Sequence, residues 1–287
     1  MKIQAMFAGL ALACVTTPGL AQIADTPDFF AAWFAMATRT QAEQPRWMTP
    51  LVTVTPRLEQ EFRFDFFSET LNNHAHLDNY GVGKGVEIIP SENTEVIIGI
   101  PPYETRTSNA GKTLADGWGD WPAFLVKYRF ASANEDQGNY AVSGFFQMSV
   151  PSGSAAFTNH FYILQPTIAF GKGWGDFDIQ ATASEQFAVW GENVPEKNFG
   201  NPVLVNATAQ YHLFGVLWPE VELNATWWPN GVKQGKIQSF ITPGIIFGRF
   251  DIQDRVRLIM GVGYQIAVSP VSPAYRNNLV LTMRTTF

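Results

Sequence analysis

Apolar and polar residues alternate with a period of two through most of this chain, which predicts strands rather than helices. In the last ten residues, Leu279, Leu281, Met283, Thr285 and Phe287 form one face, and Val280, Thr282, Arg284 and Thr286 the other. Residues 51–67 repeat the pattern, with Leu58, Phe62, Phe64 and Phe66 opposing Arg57, Glu59, Glu61, Arg63 and Asp65. Over 122–130, Phe124, Val126, Tyr128 and Phe130 oppose Lys127 and Arg129. Over 256–266, Leu258, Met260, Val262 and Tyr264 oppose Arg257 and Gln265, with Arg255 just ahead on the same polar face. Further strands are predicted at 140–150, 177–189, 203–213 and 221–227, and weaker ones at 81–89, 94–102, 161–170 and 238–250. That makes about twelve, an even number.

A soluble sandwich would bury the aromatic face and hydrate the charges; a membrane barrel would place the aromatics in lipid and the charges in a wet lumen. The reverse phase in a membrane is excluded, because an arginine at mid-bilayer costs roughly 2–4 kcal/mol. Loop lengths favour the barrel. Predicted connections at 68–79, 103–121, 151–160, 190–202, 228–237 and 267–277 are long, and those at 90–93, 171–176, 214–220 and 251–254 are short. Short turns on one side and long loops on the other are an outer-membrane barrel's habit. Trp118, Trp121, Trp174, Trp190, Trp218, Trp227 and Trp228 fall at or near strand ends, as interfacial girdles do. The fold class predicted is all-β: a single-chain transmembrane antiparallel β-barrel over residues 49–287.

The N-terminus differs. Lys2, an apolar run over 3–15 and Gly19-Leu20-Ala21 read as a signal peptide over 1–21, too short to span a bilayer as a helix. Cys14, the only cysteine, would leave with it, and Ala11-Leu12-Ala13 is a poor lipoprotein match. Within a 22–48 segment, Thr26-Pro27-Asp28 resembles a helix start, and Phe29, Phe30, Trp33, Phe34 and Ala37 recur at helical spacing. A short amphipathic helix is predicted over 25–44, either at the inner membrane boundary or as a plug in the barrel.

Charge narrows the partners. The formal net charge of −6 argues against nucleic acid. The expected partners are outer-membrane lipid, the barrel-assembly machinery reading the terminal strand at Phe287, and a small-molecule solute. No cofactor is predicted. The candidate lumen-lining set is Arg57, Glu59, Glu61, Arg63, Asp65, Lys127, Arg129, Arg255, Arg257 and Arg284, which either balance charge in a narrow interior or shape a permeation path.

Other motifs carry less. Gly117-Trp118-Gly119-Asp120 and Gly173-Trp174-Gly175-Asp176 repeat one tetrapeptide whose residues suit tight turns. His74-Ala75-His76 with Asp78 reads as an exposed loop before a metal site. Ser143, Ser149, His160 and His212 supply the residue types of a hydrolase without a recognisable spacing.

Residues 80–90, 94–102 and 117–130, with Lys127-Tyr128-Arg129-Phe130, and the segment ending Val150-Pro151-Ser152-Gly153 resemble the family named for the meta-pathway of phenol degradation. The resemblance implies a Gram-negative outer-membrane barrel tied to uptake of aromatic or hydrophobic compounds; it supplies no site motif and does not reach 25–44. The functional expectation is a narrow, passive outer-membrane channel for small, aromatic or hydrophobic compounds, not an enzyme. Two alternatives stand: a surface barrel whose loops bind a partner, and a lipid-acting hydrolase.

Overall fold

The computed structural model describes residues 28–191, 197–269 and 274–287. The signal peptide, Cys14 and the start of the predicted helix lie outside them. One helix, α1 (Phe29–Ala42), precedes strands β1 (Glu61–Leu71), β2 (His76–Ser91), β3 (Thr94–Ile98), β4 (Tyr103–Thr107), β5 (Thr113–Trp118) and β6 (Trp121–Ala133). Then come β7 (Tyr140–Val150), β8 (Tyr162–Trp174), β9 (Phe177–Glu185), β10 (Phe187–Val189) and β11 (Val203–Tyr211). The wall ends with β12 (Leu217–Trp227), β13 (Ile237–Gln253), β14 (Val256–Ala267) and β15 (Tyr275–Thr286).

Neighbouring strands pair antiparallel, and β1 pairs with both β2 and β15, so the sheet closes on itself. Three positions in the wall are interrupted: β3 and β4 lie end to end beside β2, β5 continues into β6, and β9 into β10. Counted as wall positions, the barrel has twelve strands. Closure leaves no open edge, which a lipid-facing sheet requires.

Alternation decides which side chains face out. Along β12, Val221 and Leu223 are exposed, while Glu220, Glu222 and Asn224 are buried. Along β6, Val126, Tyr128 and Phe130 are exposed, and Lys127 and Arg129 buried. Fully buried Arg284 and half-exposed Met283 are adjacent on β15. The fold is apolar outside and polar within.

Two sequence expectations need correction. The wall begins at Glu61, not at residue 51. Residues 51–60 do alternate, but they lie inside the barrel, where Pro50 and Pro56 deny the backbone a ladder. Leu58 accordingly packs on Ile89 and Ala37 rather than facing outward. The predicted long loop at 68–79 is a tight hairpin, with Ser68 opposite Asp78 and Thr70 opposite His76. Likewise 103–121 is largely the β4–β5 hairpin. Strands with polar residues on both faces carry no alternation signal, so they read as loop.

Asp28 caps α1 by accepting from the Phe30 amide (3.2 Å). The helix sits at the short-turn end of the barrel. Trp33 Nε1 donates to the Ile89 carbonyl (2.6 Å), and Arg255 donates to the Phe34 carbonyl (3.1 Å) and Thr38 Oγ1 (2.6 Å). From α1 the chain turns into the lumen, and residues 43–60 fill it as an irregular plug. Met48 and Leu51 join Trp218, Ile246, Ile259 and Val280 in one apolar cluster; Val54 packs on Ile97, Leu125, Phe145 and Ala169 in another. Gly261 makes room for the plug, since a Cβ there would lie 2.7 Å from Leu51.

Candidate functional site: the lumen and its plug

A segment without helix or strand must satisfy its buried N–H and C=O groups some other way. Here the wall supplies charged side chains. Arg284 donates to the carbonyls of Thr49 (2.5 Å) and Pro50 (2.8 Å). Arg63 donates to the Leu51 carbonyl (2.6 Å) while paired with Asp65 (2.8 Å). Lys127 donates to the Arg57 carbonyl (2.8 Å) and pairs with Glu95 (3.0 Å). The acids take the amides: Glu222 accepts from Val52 (2.7 Å) and Thr53 (2.6 Å), Glu220 from Leu51 (3.1 Å), and Glu95 from Glu59 (2.6 Å). Cations bind plug carbonyls and carboxylates bind plug amides. Bonds to ionised groups are the stronger kind, about 1.5–3 kcal/mol each, so this set clamps the segment.

The predicted lumen residues therefore sort by position. Glu61, Arg63, Asp65, Lys127 and Arg284 are buried on the inner face of the wall. Arg57 and Glu59 lie on the plug, paired at 3.0 Å. Burial pushes the Glu59 carboxyl up, but Arg57, Lys127 and Arg249 outweigh it and hold the group below its ordinary range. Arg129 binds the Thr40 and Glu92 carbonyls (2.8 Å each) and so ties α1 to the short-turn rim. One position, Arg255, corrects the expectation, and Arg257 stands at its margin. Arg255 grips α1, with Phe34 under its guanidinium at 4.8 Å, and Arg257 is exposed at the rim beside Asp251 (2.8 Å). Arg255 lies in the turn just before β14 and Arg257 is the second residue of that strand, so both stand at the short-turn end, where Arg257 still borders the cavity beside α1.

Missing from the predicted set are Glu95, Glu220 and Glu222. Glu220-x-Glu222 on one strand face was a visible signal; Glu95 lies in a strand of only five residues. The remaining motifs do not assemble. Ser143 donates to the Pro56 carbonyl and Ser149 to that of Trp121, while His212 stacks on Trp218 at 4.3 Å. His74 sits at a hairpin tip with φ 63°, and among the described residues no group of three or more His, Cys, Asp or Glu side chains could hold a metal.

Open space remains at both ends of the plug. At the loop end a vestibule of about 580 Å3 is lined by Phe161, Phe199, Trp228, Phe240, Tyr275 and Gln238. At the short-turn end a cavity of about 480 Å3 lies between α1 and the wall, lined by Thr38, Met48, Arg57, Glu59 and Arg249. The plug separates an aromatic outer chamber from a charged inner one.

No family model and no curated protein sequence matches the chain. Among solved structures, it is similar to an outer membrane channel from Pseudomonas putida F1, at 12% identity and a TM-score of 0.51, covering 78% of this chain and 91% of that one. It also aligns with the NanC porin at 9% identity and a TM-score of 0.49, over 78% of this chain and 98% of the porin. The first likeness shows that the fold is shared, a closed β-barrel; the second is too weak to add to it.

Proposed function

We propose that the protein is a passive channel of the Gram-negative outer membrane for small aromatic or hydrophobic compounds, reached by way of a cleaved signal peptide and gated by residues 43–60. One observation carries this reading: a closed barrel with an apolar outer face encloses chambers at both ends of a segment that is clamped by wall side chains but takes no part in the wall's ladder. The apolar outside supports membrane insertion, since no soluble environment favours so many exposed Leu, Val, Phe and Trp on one surface. The aromatic vestibule supports the solute class, as does the resemblance to the phenol meta-pathway family. Within this reading the strand ending at Phe287, seated against Gln60, is what the assembly machinery would engage. The charged set is then a latch rather than a selectivity ring. The scattered Ser and His side chains favour transport over hydrolysis.

The test is conductance. Refolded full-length protein in a planar bilayer should show small, fluctuating current steps, and liposomes containing it should pass small solutes. A barrel that stays electrically silent and solute-tight at every applied voltage removes the channel reading.

A further inference from the structure

Four arginines meet at the inner end of the plug, around the cavity of about 480 Å3 between α1 and the wall. Arg46 and Arg57 come from the plug, Arg249 and Arg257 from the wall, and two carboxylates, Glu59 and Glu61, stand among them.

Arg249 is inside only because the wall is distorted there. On β13 Phe247 faces outward and Gly248 inward, so plain alternation would send Arg249 into lipid. A bulge intervenes. The pairing with β14 jumps from Gly248–Ile259 to Phe250–Leu258, and Arg249, which has no partner in that ladder, takes φ 58°. Such left-handed backbone is uncommon outside glycine, and a bulge re-aims the side chain it carries. Arg249 thus turns in, over the Trp218 ring (5.4 Å), and donates to the carbonyls of Arg46 (2.7 Å) and Trp47 (2.9 Å).

Holding the plug does not account for it. Arg57 Nη1 already donates to the same Trp47 carbonyl, so two guanidinium groups converge on one neutral oxygen. Like charges that close repel, and a single peptide dipole does not neutralise both. Each also keeps donors in reserve. Arg57 uses only Nη1, for Trp47 and for Glu59 (3.0 Å), and its Nε and Nη2 have no partner among the described residues. Arg249 uses only Nη2. Arg46 and Arg249 also border a neighbouring space lined by Glu135, Asp136, Asp176 and Asp178, so the surplus of unused cationic donors belongs to the α1 side.

We propose that this cavity is a binding site for a small organic carboxylate. The carboxylate lies between the unused guanidinium edges of Arg57 and Arg249, and the apolar part of the molecule lies against Met48 and Ile259. A guanidinium fork matches the two oxygens of a carboxylate, a match that a neutral amide of the same shape does not offer. Size is no obstacle, since a cavity of about 150 Å3 already takes a benzene ring. That such a compound is also cargo rests on the channel reading; its binding does not.

Binding is measured on purified full-length protein in detergent, titrated by calorimetry with benzoate and with benzamide at neutral pH. Benzoate should bind at one site, and benzamide about tenfold or more weakly. Arg249→Gln, which keeps a donor for the plug carbonyls but no charge, should weaken benzoate by about tenfold. Heat-shifted mobility on gels certifies folding, and Arg57→Gln, on the plug and outside the wall, carries the same test if Arg249→Gln does not fold. Absence of benzoate binding to the folded wild type overturns the site. So does equal affinity for benzamide, and so does benzoate affinity unchanged in the folded variant. A wild type that conducts ions in planar bilayers without binding benzoate loses the site alone, whereas one that binds benzoate but stays electrically silent loses the channel reading alone.

Discussion

Arg284 and Glu222 do opposite halves of one job, one holding plug carbonyls and the other plug amides. Neither bond can be replaced by water without opening the segment, and both residues are fully buried. Arg284→Met should therefore leave the Thr49 carbonyl without its donor and the Pro50 carbonyl with only the long bond from Arg63 (3.4 Å), and loosen the plug by about 1.5–3 kcal/mol. The expected readout is larger and more frequent conductance steps, with the barrel's heat-modifiable mobility retained; unchanged single-channel records would show that the clamp does not hold the gate. At the same scale, Trp121→Phe removes the donor to the Gly99 carbonyl, which lies between β3 and β4 where the ladder is interrupted. Because that carbonyl faces lipid, unfolding in urea from vesicles should need about 1–3 kcal/mol less. A smaller change than the scatter between preparations would mean that the Gly99 carbonyl has another partner.

At the level of elements, the helix, the terminal strand and the closure were legible, because each has its own period or partner. The plug was not. Residues 51–60 alternate as a wall strand does, since a segment crossing a lumen meets charged wall on one side and apolar wall on the other. Only Pro50 and Pro56 hinted at the difference. The two Gly-Trp-Gly-Asp motifs make the same point. At 173–176 the motif is the expected tight turn, with Gly175 at φ 60°. At 117–120 it is the wall interruption, and Asp120 accepts from Gly153 (3.1 Å) and Asn159 (2.8 Å) to tie down the loop that follows β7. What separates them is the partner strand, which no local spacing encodes. The plug's independence from the wall also makes a prediction. All twelve wall positions lie at or beyond Glu61, so deleting residues 29–57 should leave a folded barrel. Its freed lumen charges would be hydrated instead of stranded, and conductance should rise several-fold in steady, large steps. Failure of the shortened chain to fold in detergent, with the wild type folding alongside, would make the plug part of the barrel's core.

At the scale of the whole molecule, the decisive property is inversion: the largest apolar side chains face out and the ionised ones face in. That property has an energetic signature different from any soluble barrel's. Leu223 lies mid-strand on β12, outward and about half exposed, while Ile237 is equally exposed but opens β13 at the loop end. In water, an exposed Leu or Ile replaced by arginine changes stability by no more than about 0.5 kcal/mol at either site. In a bilayer the cost depends on depth, about 2–4 kcal/mol at the midplane and about 0–1 near the interface. Leu223→Arg should therefore destabilise the vesicle-embedded protein by several times as much as Ile237→Arg, measured by urea unfolding followed through tryptophan fluorescence. Equal, small effects at the two positions would place the outer face in water. The channel reading would then lose its membrane, whatever the lumen contains.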